Sequence, residues 1–188
     1  MKANPARVKL TYDDFLLFPD DGKRHELIDG EHYVTPSPNI RHQAILGNLY
    51  FLIRGWLEHH PEGRAFVAPL DVVFTTFDVV EPDLLFVSRQ REPHILTAQH
   101  VTGAPDIVVE IGSPATRKRD ETIKRRLYER SGVSEYWVVD PDLDVVRVYR
   151  NRDGSFDRPV ELRCDADDAL TTPHLDGLRM PLRRIFAD

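Results

Sequence analysis

Two acidic residues stand at opposite ends of two apolar runs. Glu81-Pro82-Asp83 opens the run Leu84-Leu85-Phe86-Val87, whereas Ile107-Val108-Val109 leads into Glu110. Such runs read as buried strands. If the two strands are antiparallel neighbours, the start of one lies beside the end of the other. Asp83 and Glu110 then meet at one edge of the sheet, within reach of a single cation. Magnesium suits such a pair, because it takes one or two carboxylates and completes its shell with water or phosphate. Each acid alone has a plainer explanation, since strand ends reach water and a carboxylate there is simply solvated. The pair on opposed strand ends favours a site.

The helix expected after Glu110 adds a third element. Asp120, Lys124 and Tyr128 fall at i, i+4 and i+8 and share a face. Ile123 and Leu127 are expected on the adjoining face, docking the helix on the sheet. An ammonium at Lys124 could orient or deprotonate an attacking water, or offset charge building on a phosphate. The competing reading is a surface Asp120–Lys124 ion pair of small energetic weight. Arg117-Lys118-Arg119 and Lys124-Arg125-Arg126 form a local basic patch that could hold a nucleic-acid backbone. They also read as a solvated face balanced by Asp120, Glu121 and Glu129.

The elements that must position these side chains follow from punctuation and periodicity. Thr11 caps a short helix that Pro19 ends. Arg24–Ile28 and Glu31–Thr35 read as a hairpin around Asp29-Gly30. A long helix spans Asn39–His59, with Ile45, Leu49, Leu52, Ile53 and Trp56 at helical spacing. Three strands are expected over Ala65–Thr75, Val79–Val87 and Asp106–Ile111. A second long helix starts at Ser113-Pro114, with proline at its first position, and Gly132 closes it. Glu135–Asp140 and Val145–Tyr149 are further strands, and the chain from Asn151 reads as a strand-and-turn extension. The expectation is an α/β fold, a mixed sheet flanked by helices, with residues 1–188 as one domain whose core is about 10–150.

Other chemistries find less support. Asp140, Asp142 and Asp144 imitate the start of a calcium loop, but Val145 and Asn151 stand where Gly and Glu are needed, so a hairpin turn is expected. The histidines lack zinc-protease spacing, and no phosphate-cradling glycine loop or Gly-x-Ser-x-Gly elbow occurs. Cys164 is the only cysteine, which excludes an internal disulfide and a thiolate zinc cage. The net charge of -6 argues against coating nucleic acid by bulk positive charge, though not against a local patch. Met1–Arg7 carries no apolar run and no stretch is of membrane-span length, so a cytoplasmic protein without membrane contact is expected.

In this order, the segments resemble a known family. They are Glu26-Leu27-Ile28-Asp29-Gly30-Glu31, Ser37-Pro38 with His42-Gln43, Pro82-Asp83, and Pro105-Asp106 through Glu110 with Ser113-Pro114. Asp120, Lys124 and Tyr128 follow, then Gly132-Val133, Glu135-Tyr136-Trp137 and Asp140-Pro141. Together they resemble the Uma-type restriction endonucleases of the PD-(D/E)XK nuclease superfamily. That resemblance implies a restriction-endonuclease-like fold and magnesium- or manganese-dependent hydrolysis of DNA phosphodiesters, by an enzyme that could work as a homodimer. It implies that Asp83, Glu110 and the backbone carbonyl of Ile111 hold the metal. Gly112 stands where the superfamily usually has its lysine, and the family pattern makes Lys124 the substitute. Glu26 matches an early acid that completes the site, and His42, Gln43, Asp120 and Tyr128 match positions lining the cleft. A nuclease-like module that has lost catalysis is the alternative, favoured by Gly112 and the acidic charge.

Overall fold

A computed structural model describes residues 8–113 and 116–187. Pro114, expected to begin the second long helix, and the segment 1–7 lie outside the described residues. In α1 (Tyr12–Phe15), the Asp14 carboxylate accepts the Thr11 N–H at 2.8 Å and the Thr11 hydroxyl accepts the Asp14 N–H at 3.3 Å. This reciprocal box satisfies two donors that a helix start leaves open. The helix is one turn long and ends well before Pro19. β1 (Arg24–Ile28) and β2 (Glu31–Thr35) form the expected hairpin. Its turn has φ of 56° at Asp29 and 74° at Gly30, the left-handed pair that Asp-Gly supplies at low cost. Asn39 caps α2 (Ile40–Leu57) by accepting the His42 N–H at 2.8 Å.

Two of the expected long strands each divide in two. Ala68-Pro69 separates β3 (Gly63–Val67) from β4 (Val72–Thr75), and Glu81-Pro82 separates β5 (Asp78–Val80) from β6 (Leu84–Ser88). Proline brings no N–H to a ladder and restricts the residue before it, so each apolar run leaves one sheet and enters another near its proline. After α3 (Glu92–Ile95) and β7 (Val101–Thr102) comes β8 (Ile107–Ile111). α4 (Arg117–Arg119), a π-helical turn (Asp120–Lys124) and α5 (Arg125–Arg130) then run on as one helix. At its end the Gly132 N–H reaches the Glu129 carbonyl and the Val133 N–H the Tyr128 carbonyl, with Gly132 at φ 82°. That is the glycine cap expected from sequence. β9 (Glu135–Asp140), β10 (Val145–Arg152), β11 (Ser155–Phe156) and β12 (Val160–Arg163) follow, then β13 (Ala169–Leu170), β14 (Met180–Pro181) and α6 (Leu182–Ile185).

One sheet has the order β2-β1-β5-β4-β7, a second runs β11-β10-β9-β8-β6-β3 with β12 beside β10, and β13 and β14 pair in a small third. β6 and β8 are antiparallel, with Leu84 opposite Val109, as the acidic strand ends require. β8 and β9 are parallel, so the sheet is mixed. β8 is buried on both faces, and its side chains alternate between two cores. Ile107, Val109 and Ile111 join Ile45, Leu49 and Ile53 of α2 in the first core. Val108 joins Leu85, Leu127 and Tyr128 in the second. Each fully buried aliphatic side chain contributes about 1.5–3 kcal/mol relative to exposure. Glu110, by alternation, falls on the second face, beneath the helix of residues 117–130. The chain after 151 adds Leu170, Leu175, Met180, Leu182 and Ile185 to the first core. Its end is tied to α2 through Arg41 to the Phe186 carbonyl at 2.8 Å and Asn48 to the Ile185 carbonyl at 3.1 Å. Among the described residues no helix is long and apolar enough to cross a membrane.

Candidate active site

Asp83 sits at the foot of β6, immediately after the proline that switches sheets. Its carboxylate faces β8 across the antiparallel pair and is buried. The Ile111 N–H donates to Oδ2 at 2.8 Å, His42 Nε2 faces the same oxygen at 3.1 Å, and Arg24 Nη1 donates to Oδ1 at 2.7 Å. Burial works against the charge, but His42, Arg24 and the Ile111 amide outweigh it and hold the carboxyl down at about 2. His42 reaches this position from the first turn of α2, which Asn39 fixes.

Glu110 is equally buried and behaves in the opposite way. Its Oε1 accepts from Lys124 Nζ at 2.8 Å and from the Tyr128 hydroxyl at 2.5 Å. Burial pushes its carboxyl up to about 8; Lys124 opposes this, and Asp120, Asp83 and Glu26 add to it. Lys124 is shared, because its Nζ also lies 2.7 Å from Glu26 Oε1. Glu26, on β1, accepts the Glu81 N–H at 3.1 Å and lies 3.4 Å from Arg119 Nη2. Burial raises its carboxyl, but Lys124 and Arg119 prevail and lower it. With two carboxylates sharing one ammonium, the Glu26 carboxyl is drawn down and the Glu110 carboxyl is left raised. Burial disfavours the Lys124 charge too, yet Glu110, Glu26 and Asp120 hold the ammonium above its ordinary range. A lysine held in its charged form is better suited to donate a hydrogen bond or offset negative charge than to take a proton from water.

The π turn explains how the helix delivers three side chains to one place. In an unbroken α-helix, steps of four drift about 40° each, so Tyr128 would lie about 80° around from Asp120. A π turn advances less per residue, and its four-residue step drifts back the other way. Asp120, Lys124 and Tyr128 thus fall nearly in line, and all three are buried. The same unwinding leaves Ile123 37% exposed while Leu127 is fully buried, which corrects the expectation that both dock the helix. The Arg125 N–H closes the turn on the Asp120 carbonyl, and the buried Tyr136 hydroxyl donates to that carbonyl at 3.1 Å.

Around these groups lies a cavity of about 210 Å³, lined by Arg24, His42, Asp83, Glu110, Ile111, Arg119, Asp120 and Lys124 among others. Of the residues singled out in sequence, Gln43 stands apart: it is exposed and lines a neighbouring cavity instead. Tyr128 touches Glu110 from behind without lining the cavity. Arg24 was not anticipated, and Arg119 was expected only as part of the basic patch. A signal for Arg24 existed, since it lies two residues before Glu26 on a strand and must share its face. The basic patch is largely spent within the molecule: Arg117 pairs with Asp140 at 3.0 Å and Asp142 at 2.7 Å, and Lys124 is buried. Asp140 also accepts the Asp142 and Leu143 N–H groups, so the segment is a turn, as expected.

The residues fit a hard divalent cation. The acidic side chains supply only oxygen, burial with the nearby acids holds the Glu110 carboxyl raised despite Lys124, and Asp120 Oδ1 is buried without a hydrogen-bond partner. Among the described residues no three acidic, histidine or cysteine side chains converge into a ready cage. Magnesium does not require one, because it keeps several waters or phosphate oxygens. A Cβ at Gly112 would meet the Val139 carbonyl oxygen at 3.4 Å, the near limit of ordinary contact.

A family model described as "Putative restriction endonuclease", Uma2, matches residues 12–183 of the chain. A crystal structure described as "a putative nuclease belonging to DUF820", from Anabaena variabilis, is similar in fold. Its TM-score is 0.80 at 24% identity, over 95% of this chain and 98% of that one. No curated protein matches the sequence.

Proposed function

This chain belongs to the Uma2 family, and from that premise we propose that it is a magnesium- or manganese-dependent endonuclease that hydrolyses phosphodiester bonds in DNA. The observation that carries the reading is the meeting of Asp83 and Glu110 at adjoining strand ends, with the Lys124 ammonium 2.8 Å from Glu110.

Asp83, Glu110 and the carbonyl of Ile111 would hold the cation, which when bound polarises the phosphate and lowers the pKa of water. Arg24 and His42 hold the Asp83 carboxylate ionised and fixed in direction. Glu110 would have to be ionised to hold the cation. Lys124, permanently charged, is placed to offset negative charge developing on the phosphate, in a buried setting where such charge counts for more than in water. Glu26 and Tyr128 hold that ammonium and Glu110 in register. Asp120, with its unpaired oxygen, is placed to accept a hydrogen bond from an attacking water.

The alternative, an inactive relic, draws on Gly112. Lys124 at the Glu110 carboxylate answers it, because a cation is supplied from the helix instead of the strand. The test is nicking of supercoiled plasmid with magnesium or manganese, comparing the wild type with Asp83→Ala and Glu110→Ala. Loss of cleavage in both variants is expected; equal cleavage by all three proteins would mark a contaminant and end the assignment.

A further inference from the structure

Arg119 enters the acidic cavity from the helix of residues 117–130, one residue before the π turn. Its planar guanidinium is mounted on the hairpin of β1 and β2. Nη2 donates to Thr35 Oγ1 at 2.7 Å and lies 3.4 Å from Glu26 Oε2, and the group stands 5.5 Å from the centre of the Tyr33 ring. The Thr35 hydroxyl donates in turn to Glu26 Oε2 at 3.3 Å, so the mount is itself braced. The other end of the fork is differently placed. Among the described residues Nη1 makes no hydrogen bond, and unlike Nε, which is sealed from solvent, it is accessible.

The neighbouring acids do not account for that end. Glu26 has the Lys124 ammonium at 2.7 Å, closer than Arg119, and Asp83 has Arg24 at 2.7 Å. Glu110 is held by Lys124 and Tyr128. A guanidinium stays charged at every working pH and carries its donors in a rigid plane. With one edge anchored, the direction of the other is set before any ligand arrives, which lowers the ordering cost of binding.

We propose that Arg119 binds the substrate, its Nη1 donating to a non-bridging oxygen of the DNA phosphate that enters the cavity. The inference rests on the nuclease reading above and names a residue that seats the substrate. A phosphate oxygen carries the negative charge that a guanidinium edge fits, and it is the part of DNA that basic side chains most often hold. The position agrees, because Asp120, next in the chain, and Lys124, five residues on, line the same cavity. Arg119 seats the phosphate, and Lys124 meets charge as it develops.

The test is fluorescence anisotropy of a labelled DNA duplex in EDTA at a series of KCl concentrations, which reports phosphate contacts without chemistry. Each contact adds about 0.9 to the steepness with which log affinity falls against log salt. Arg119→Gln is expected to lower the wild-type slope by about one and to weaken binding about tenfold at low salt, and Arg119→Lys to restore the slope. In plasmid cleavage with magnesium, KM of Arg119→Gln is expected to rise about tenfold, the mark of lost substrate binding. Should Arg119→Gln not fold, Glu26→Gln/Arg119→Gln removes the buried charge together with its partner, and its slope is read against that of Glu26→Gln. An unchanged slope in the folded variant, with cleavage falling through kcat alone, means that Arg119 acts only through Glu26. That result overturns the proposal and leaves the nuclease reading in place. A wild type that binds DNA without cutting it ends the nuclease reading, and the slope still decides the phosphate contact. Failure of the wild type to bind DNA overturns both.

Discussion

The Lys124 ammonium lies 2.8 Å from Glu110 Oε1, and the same nitrogen is 2.7 Å from Glu26 Oε1. One buried cation therefore restrains two buried carboxylates from two different sheets. Removing one partner of such a group leaves an uncompensated charge, which typically costs about 3–5 kcal/mol. Lys124→Met is expected to lower the melting temperature by roughly 6–20 °C and to abolish plasmid cleavage. Thermal denaturation followed by circular dichroism, run beside the nicking assay, checks both.

Gly112 allows a sharper experiment. If the helix lysine substitutes for a strand lysine, moving it back should restore function. The double variant Gly112→Lys/Lys124→Met is expected to recover part of the cleavage that Lys124→Met loses, since a Cβ at position 112 meets nothing closer than 3.4 Å. Complete inactivity in a folded double variant would show that Lys124 is needed for structure more than for charge at the phosphate.

The protonation of Glu110 predicts a pH dependence. Its folded pKa of about 8 lies above the ordinary carboxyl value of 4.5. The sign follows from proton binding: the folded state holds the proton more tightly, so the stability is present below pH 4.5 and lost as pH rises towards 8. Asp83, lowered from 3.8 to about 2, acts oppositely and loses its contribution only as pH falls through that range. Metal-free protein is therefore expected to melt progressively lower between about pH 5 and 8. Glu110→Gln should flatten that slope, and added magnesium should stabilise the wild type more at pH 8 than at pH 6. Differential scanning fluorimetry across pH, with and without the ion, would expose a flat wild-type profile and so refute the assignment.

Arg24, whose only sign in sequence was its spacing of two from Glu26, is predicted to matter. Arg24→Ala leaves Asp83 with His42 and the Ile111 amide alone. A loss of about 2 kcal/mol, or roughly 4–8 °C in melting temperature, is expected, with cleavage strongly reduced. Wild-type cleavage in this variant would remove Arg24 from the machinery.

Tyr136→Phe tests the π turn. It deletes the hydroxyl that bonds the Asp120 carbonyl and little else, at an expected cost of about 1 kcal/mol. Cleavage should fall by more than that stability loss explains, because Lys124 and Tyr128 depend on the turn for alignment. A crystal structure of the variant with a regular α-helix over 117–130 would confirm the cause.

Strand ends and hairpin chemistry were legible because they are local. Asp29-Gly30, Asn39 and Gly132 announce their turns and caps in one or two residues, and an acid closing an apolar run stands out. The division of the runs 65–75 and 79–87 was missed because apolar periodicity carries no label for which sheet a residue joins. The prolines at 69 and 82 were the available sign. The π turn had no signal in residue spacing, since i, i+4, i+8 reads as ordinary helix. Arg119 reaches Glu26 only through tertiary folding, and no local pattern separates it from its basic neighbours.

The hairpin of β1 and β2 packs Ile28 and Tyr33 into the second core and adds charged links, Arg24 to Asp83 on the larger sheet and Glu26 to Lys124 and Arg119 on the helix. Part of the seam between two structural blocks is thus also part of the reacting centre. A ligand that strengthens those bonds also locks the blocks together, and by reciprocity a firmer seam binds that ligand more tightly. Slowing of hydrogen exchange in β1 should then track cation concentration, so that the rigidity of a distant backbone amide reports occupancy of the cleft.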